Sequence, residues 1–411
     1  MDVPVARADP AEFRRRVARK GGGEVFDAFL TADTAWRNCA TAVDELRAST
    51  RPKGKPTPEE LAALTEKKAA LRSAEADLVV LESRRSSLLA KVPNPPDDGV
   101  PDGADDSDSV EIRRVGDPSE PSFKLRDHLD LGGFDVERAA RLSGSRFVYR
   151  MGPIALIELA LYRYALDHLV ARDFVPVLPP VLVREEAMYG TGFLPTEEAN
   201  LYKIESDGLY LTGTSEVALA GLHQGEILES LPLLYAGYST NFRREAGSAG
   251  RDTRGIFRVH QFDKVEMFAY TTPERSAAVH EELLAIEEEI VSGLGIPYRV
   301  VNVAAGDLGA PAARKYDIEA WIPTQERYRE ITSCSNTTDY QARRLGVRYR
   351  AEGTLRYPHT LNGTAMTARF LIAILENFQD TGGRVAIPEA LVRYGAPPTF
   401  SAPGAPGSAE G

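Results

Sequence analysis

The chain has 411 residues, 43% hydrophobic and 27% charged, an ordinary globular composition with length for two or three domains and a self-sufficient core. No apolar run reaches the roughly 20 residues of a membrane span, the N-terminus MDVPVARADPAEFRRR lacks the apolar stretch of a secretory signal, and two distant cysteines, Cys39 and Cys334, argue against a disulfide framework and exclude a four-thiolate zinc site, so a reducing cytoplasm is expected. The net charge of −11, from 49 basic and 60 acidic residues, argues against a general nucleic-acid binder but leaves room for a local basic surface.

Residues 24–50 read as a helix with two heptad series, Phe29, Trp36, Val43 and Ala32, Cys39, Leu46. Residues 58–91 repeat the pattern with Leu64, Leu71, Leu78 and Ala74, Leu81, Leu88. Between them RPKGKPTP breaks the helix at Pro52 and Pro56 and concentrates Arg51, Lys53 and Lys55. The product is an antiparallel helical hairpin with arms roughly 40 Å long. On periodicity alone a dimerisation coiled coil with a solvated charged face fits at least as well. The acidic, Pro/Gly-rich stretch 92–109 reads as a linker. From 110 to 394, strand-like LYLTG, HQFDKVEMF and YREITS alternate with helical stretches 153–171 and 274–294. The tail APPTFSAPGAPGSAEG cannot bury apolar surface and reads as disordered. The expected class is α+β: an N-terminal hairpin with its linker over 1–109, an antiparallel sheet flanked by helices over 110–395, and a tail over 396–411.

Chemistry concentrates in residues 241–268, NFRREAGSAGRDTRGIFRVHQFDKVEMF, which read as strand, basic loop, strand. Arg243 and Arg244 precede the loop, Arg251, Arg254 and Arg258 lie within or after it, and Gly247, Gly250 and Gly255 permit its turns. Guanidinium forks match phosphate oxygens two at a time. Strand alternation places Phe262, Lys264 and Glu266 on one face and Gln261, Asp263 and Val265 on the other. An aromatic, a lysine and a carboxylate on one face suit a ligand site, although from spacing alone an exposed hairpin with scattered charges is the plainer reading.

The stretch FRREAGSAGRDTRGIFRVHQFDKVEMF resembles motif 2 of the class II seryl-tRNA synthetases almost residue for residue. Upstream, GTSEV (213–217) resembles that family's Thr-x-Glu serine loop, and FVPVLPPVLV (174–183) resembles motif 1, with Pro180 at the dimer interface. Downstream, REITSCSNTTDYQARR (329–344) resembles the Glu-x-x-Ser strand and LNGTAMTARFLIAILENFQ (361–379) resembles motif 3. The hairpin resembles the tRNA-binding arm, and PNPPDDGVP matches the linker. The likeness spans nearly the whole chain except the tail.

The resemblance implies a class II aminoacyl-tRNA synthetase catalytic domain and a homodimer. L-serine is activated by ATP with Mg2+ to seryl-adenylate and passed to the 3′ end of serine tRNA. Neither step needs a protein nucleophile; both need in-line placement and neutralised phosphate charge. By resemblance, Arg243 bridges the α-phosphate and the serine carboxylate, Glu245 meets the adenine amino group and Phe262 stacks on the ring. Arg244 and Arg258 join the ATP site, Glu330 and Ser333 hold Mg2+ with Ile331 and Thr332 between them, and Arg369 grips the γ-phosphate. For serine, Thr214, Ser215 and Glu216 surround the amine, Glu266 reaches amine and hydroxyl, and Thr364 reaches the hydroxyl near Asn362. A pocket that hydrogen-bonds the hydroxyl rejects alanine, because a buried polar group is left unpaired. No zinc is expected, since Cys334 sits in an ordinary SCSN segment and Cys39 in a heptad seam.

Motif 3 departs from the family pattern. NGTAMTARF is one residue short before the arginine, with Ala368 where glycine is common and Phe370 where Thr or Ser is usual. The arm is also shortened. The deletion is expected to re-aim Arg369 or retune the pocket behind Thr364. Three alternatives follow: a specialised seryl-tRNA synthetase paralogue for antibiotic resistance or biosynthesis, a non-catalytic tRNA-binding paralogue, and an amino acid:carrier-protein ligase. The last lacks the arm and uses zinc.

Overall fold

The computed structural model describes residues 1–51, 57–118, 121–246, 252 and 254–401. Pro52, Lys53, Lys55 and Pro56 of the expected turn, Gly247, Gly250 and Arg251 of the basic loop, and the tail from 402 lie outside the described residues. The first part of the expected disordered tail, 396–401, is instead ordered: Thr399–Ser401 pairs with Arg384–Ala386, and Ala396 and Phe400 are buried in a large core, so the tail does bury apolar surface there. The chain forms two compact units, Met1–Pro95 and Pro96–Gly411.

In the first unit the heptads produce two long helices, α1 (Gly23–Ser49) and α2 (Pro58–Lys91), free of interior proline. They run antiparallel: Asp33 meets Arg85 at 2.6 Å, whereas Cys39, further along α1, has its Sγ 3.6 Å from the carbonyl of Ala74, earlier in α2. Phe29, Ala32 and Val43 are buried in the seam, and Trp36, Cys39, Leu46 and the seam residues of α2 are half-buried. Phe13, Val17, Phe26, Phe29 and Val92 form a core at the base of the hairpin. Beside it the fully buried Asp33 collects three arginines. Arg7 donates two hydrogen bonds of 2.7 and 2.8 Å, Arg85 approaches to 2.6 Å and Arg37 to 3.3 Å. These arginines come from an N-terminal helix (Val3–Ala8) and from both long helices, so one carboxylate ties three segments together.

The second unit is built on an eight-stranded sheet of β1 (Val110–Val115), β2 (Val175–Val177), β3 (Leu233–Phe242), β4 (Gln261–Thr271), β5 (Tyr298–Asn302), β6 (Arg314–Ile322), β7 (Arg327–Thr338) and β8 (His359–Thr367). Their order is β1-β5-β6-β7-β8-β4-β3-β2, antiparallel throughout except for the β2–β3 pair. The expected α+β architecture is therefore the observed one. Helices α3 (Pro153–Val170), α4 (Ser276–Gly293) and α5 (Ala368–Asn377) join one large core with the sheet. On α4, Val279, Leu283, Ile286 and Ile290 form a single apolar stripe at helical spacing. On β4, Val265, Met267 and Ala269 enter that core, whereas Phe262, Lys264 and Glu266 face the other way. No helix among the described residues is long and apolar enough to cross a membrane.

The segment 92–109, expected as a linker, contains the boundary between the two units and is held by packing and backbone hydrogen bonds. Val92 belongs to the first core, and Val100 is buried with Val303, Ala305, Leu308 and Ala312. Asp97 N–H donates to the Ala313 carbonyl, and the Ala305 and Gly306 amides donate to Pro101 and Gly103, all at 2.9 Å. Pro/Gly-rich composition reports weak local preference; it is blind to backbone partners supplied by a loop two hundred residues away.

Replacing Asp33 with Ala should lower the stability of the first unit by roughly 2–3 kcal/mol, because three arginines lose their shared counter-charge. Thermal unfolding followed at Trp36 is the check, and an unchanged transition would show that the cluster is incidental.

Candidate active site

The face of the sheet away from the helices opens on a cavity of about 510 Å³. Four strands or their ends contribute lining: Arg243 just after β3, Phe262, Lys264 and Glu266 on β4, residues 330–333 on β7, and Asn362 and Thr364 on β8. Arg369 enters from the first turn of α5, whose N-cap is Thr367. Thr214 and Glu216 enter from the loop opening the short helix Glu216–Gly221.

One end is a hydrogen-bonded polar cluster. Asn362 Nδ2 donates to Glu216 at 3.2 Å and to Glu266 at 3.1 Å, and Thr364 Oγ1 donates to Glu266 at 3.5 Å. Gln341 donates to Glu216 at 2.7 Å, and Lys264 forms an ion pair with Glu266. Burial, then the charge of Glu266, push the Glu216 carboxyl up to about 7. Arg243 borders this end; its Nε donates to the Gly213 carbonyl at 3.1 Å and its guanidinium stands 5.3 Å from the Phe262 ring centroid.

The other end is rich in arginine. Arg369 donates to the Glu330 carbonyl at 3.0 Å and lies 3.4 Å from its carboxylate. The protein around Glu330 disfavours its charge, yet Arg369, Lys315 and Arg243 overcome this and hold the carboxyl well below the usual carboxylate range. Arg258 bonds to Glu245 at 2.8 Å and lies 3.3 Å from Asp252. Arg329 and Arg369 stand over one ring, Phe257, at 4.0 and 5.4 Å from its centroid.

Two irregularities set these positions. Residues three apart on a regular strand point to opposite faces, yet Glu330 and Ser333 both line the cavity. The β6–β7 pairing slips at this point, with Ile318 opposite Thr332 and Glu319 opposite Glu330, so Ile331 is an extra residue and the parity is reset. A second slip lies in motif 3: Val265 pairs with Met366 and Glu266 with Thr364, leaving Ala365 extra. The expected re-aiming of Arg369 is not observed as a loss from the site. Despite the short segment 364–369, Thr364 faces Glu266 and Arg369 lines the cavity.

Of the residues singled out in the sequence, Thr214, Glu216, Arg243, Glu245, Arg258, Phe262, Glu266, Glu330, Ile331, Thr332, Ser333, Asn362, Thr364 and Arg369 meet in this one cavity. Ser215 and Arg244 do not line it. Ser215 is buried and donates to the Gly237 carbonyl at 3.2 Å, which anchors the loop. Arg244, two residues beyond the end of β3, turns toward the segment at 200–202: its amide donates to the Asn200 carbonyl at 2.9 Å and its guanidinium lies 6.0 Å from the Tyr202 ring. The structure adds Glu197, Phe257 and Lys315 to the lining. Lys315 was within reach of a period-2 reading of β6; Glu197 lies in FLPTEEAN, which carries no periodic signal. Behind the polar end, Glu287 is fully buried, and neither of its oxygens has a hydrogen-bond partner among the described residues. Burial pushes its carboxyl well above the usual carboxylate range. A β-carbon on Gly363 would stand 2.9 Å from Glu287 Oε1, which is why glycine occupies that position.

A family profile described as tRNA synthetase class II core domain (G, H, P, S and T) matches residues 202–378. A serine–tRNA ligase of Pseudarthrobacter chlorophenolicus is 46% identical over 417 residues, covering 96% of this chain and 97% of that protein. One of Mycolicibacterium vanbaalenii is 48% identical over 410 residues, again covering 96% and 97%. The crystal structure of seryl-tRNA synthetase from Pyrococcus horikoshii complexed with ATP matches with a TM-score of 0.92 at 40% identity, over 98% of this chain and 99% of that one. With likeness of this degree over nearly its whole length, and with the motif residues gathered in one cavity, the chain belongs to the seryl-tRNA synthetases of class II.

Proposed function

We propose that this chain joins L-serine to serine tRNA through a seryl-adenylate made from ATP. The observation that carries the reading is the two-ended cavity: a cluster of Glu216, Asn362, Glu266 and Thr364 at one end, arginines at the other, and Arg243 between them.

In the first step a serine carboxylate oxygen attacks the α-phosphorus, the bond to the bridging oxygen breaks, and pyrophosphate leaves. Arg243 serves this step by neutralising the carboxylate and the α-phosphate together, since its fork can hold both. Glu216 and Glu266 hold the ammonium, and Glu266 with Thr364 reads the hydroxyl. Alanine would leave these buried groups unpaired. Phe262 and Glu245 serve the adenine, and Arg258 and Arg369 the phosphates. Glu330, ionised and brought by the Ile331 bulge to the same face as Ser333, supplies the hard oxygen ligands that Mg2+ requires. The ion would neutralise triphosphate charge there. In the second step the 3′ hydroxyl of the tRNA attacks the seryl carbonyl, loses its proton, and AMP leaves. Arg244 and Ser215 stay outside this chemistry. The retained charged groups favour a catalyst over a non-catalytic tRNA binder.

The hairpin serves tRNA on this reading, with Arg47, Lys67, Lys68, Arg72 and Arg84 exposed along its helices. A homodimer is supported by apolar side chains left in solvent around motif 1: Leu156 and Leu159 on α3, and Val175 and Leu178 next to Pro180. The tRNA substrate assigns the protein to the cytoplasm.

Serine-dependent exchange of pyrophosphate into ATP tests the core of the proposal. Exchange is expected with serine and should fall by at least about a hundredfold with alanine or in Arg243→Ala; no exchange with any amino acid would refute it. The raised Glu216 carboxyl gives a second test. Only its ionised form attracts the ammonium, so kcat/KM for serine should climb roughly tenfold between about pH 6 and 8 as the group ionises near 7. Glu216→Gln should flatten that limb, and a profile with the limb intact would assign it to another group. Excising residues 42–71 and rejoining the helices by a glycine turn keeps the Phe26, Phe29 and Asp33 region. That variant should retain exchange and lose most tRNA charging; unchanged charging would remove the arm from recognition.

A further inference from the structure

The turn between β1 and α3, residues 126–131, lies behind the arginine-rich end of the cavity and is tied on both sides. On one side it is fastened to the end of α5 and the residues just after it. The Arg126 amide donates to Gln379 Oε1 and Gln379 Nε2 donates to the Arg126 carbonyl, both at 2.9 Å. His128 Nδ1 meets Glu376 Oε1 at 2.7 Å, and the His128 amide donates to the same oxygen at 3.3 Å. On the other side it is fastened to the limb by which the motif 2 loop returns to β4. The Ile256 amide donates to His128 Nε2 at 3.2 Å. Arg254 pairs with Asp130 at 2.7 Å and with Asp127 at 3.2 Å.

The chemistry of His128 is dictated by its partners. A backbone N–H can only donate, so Nε2 must carry a lone pair, and the carboxylate of Glu376 can only accept, so the proton sits on Nδ1. Both residues are buried, His128 to 4% exposure and Glu376 to 0%. The fit is close: a β-carbon on Gly255, whose φ is +90°, would come within 2.8 Å of Nε2. The residue after Ile256 is Phe257, and its ring is the surface over which Arg329 and Arg369 stand.

We propose that His128 is a positioning residue for the ATP half of the reaction: as a neutral imidazole it locks the motif 2 return limb to the motif 3 helix and thereby fixes the Phe257 platform under Arg329 and Arg369. The proposal rests on the reading of that end of the cavity as the ATP site. It assigns His128 no contact with substrate. The serine end stands on β4 and β8 and on the loop at 214–216, none of which bonds to this turn among the described residues, so the two substrates should respond differently.

Two substitutions separate the two ring nitrogens. His128→Asn keeps a donor toward Glu376 but has no atom at the Nε2 position, so the buried Ile256 amide loses its acceptor. His128→Gln places its amide oxygen near the Nε2 position. Steady-state pyrophosphate exchange should show KM for ATP about tenfold higher in His128→Asn and within about twofold of the parent in His128→Gln, with KM for serine unchanged in both. An equal rise in both KM values, or no change in KM for ATP while the parent exchanges normally, would overturn the proposal. Absence of exchange in the parent itself would overturn the functional reading instead. Should His128→Asn fail to fold, amide hydrogen exchange in the unaltered protein decides: Ile256 is expected to be protected, and rapid exchange at that amide would overturn the proposal.

Discussion

Lys264 and Glu266 stand side by side on the central strand β4 as a nearly solvent-free ion pair, and much of the site follows from what that pair requires. Taking two charges out of water costs on the order of several kcal/mol per ion, which attraction offsets only when the remaining lone pairs find donors. Asn362 and Thr364 supply those donors from β8. They can do so in one register of β8 against β4, the one in which Glu266 faces Thr364. Asn362 then reaches Glu216 as well, so the loop at 214–216 is drawn to the same point. The polar cluster proposed to recognise serine is therefore also the condition under which the sheet can bury its charges.

Bulges resolve the conflict between this demand and strand geometry. A strand offers alternate residues to one face, and catalytic spacing does not respect that period. The extra Ile331 brings Glu330 and Ser333 onto one face. The extra Ala365 absorbs the register around motif 3, so the shortened run before Arg369 still delivers that arginine to the cavity. In both places the chain loses a ladder position and gains an aimed side chain.

Charge is sorted along the cavity. Glu197, Glu216 and Glu266 gather at one end with Lys264, and Arg258 and Arg369 lie at the other with Glu330. The surroundings choose the protonation states. Burial and a neighbouring carboxylate raise Glu216, whereas three cations depress Glu330. Burial holds the Glu287 carboxyl well above the usual range. Three glutamates thus differ in how readily they ionise through position alone.

Much of this was written locally. The heptads predicted the antiparallel hairpin, and period 2 put Phe262, Lys264 and Glu266 on one face, because both rules depend only on neighbours in the chain. The resemblance of the motif segments identified most of the cavity residues by chemical type. Local rules failed where contact is distant. Arg244 and Ser215 lie in motif segments yet turn to structural partners, and the composition of 92–109 shows a linker but not its backbone partners near residue 305. His128 and Glu376, 248 positions apart, had no shared signal. The sequence by itself determined the hairpin helices, the faces of β4 and the chemical types of the groups proposed for the site. The tertiary structure alone decided which groups share a cavity, which are charged and where the register slips, since burial and partner charge are properties of contacts between distant segments.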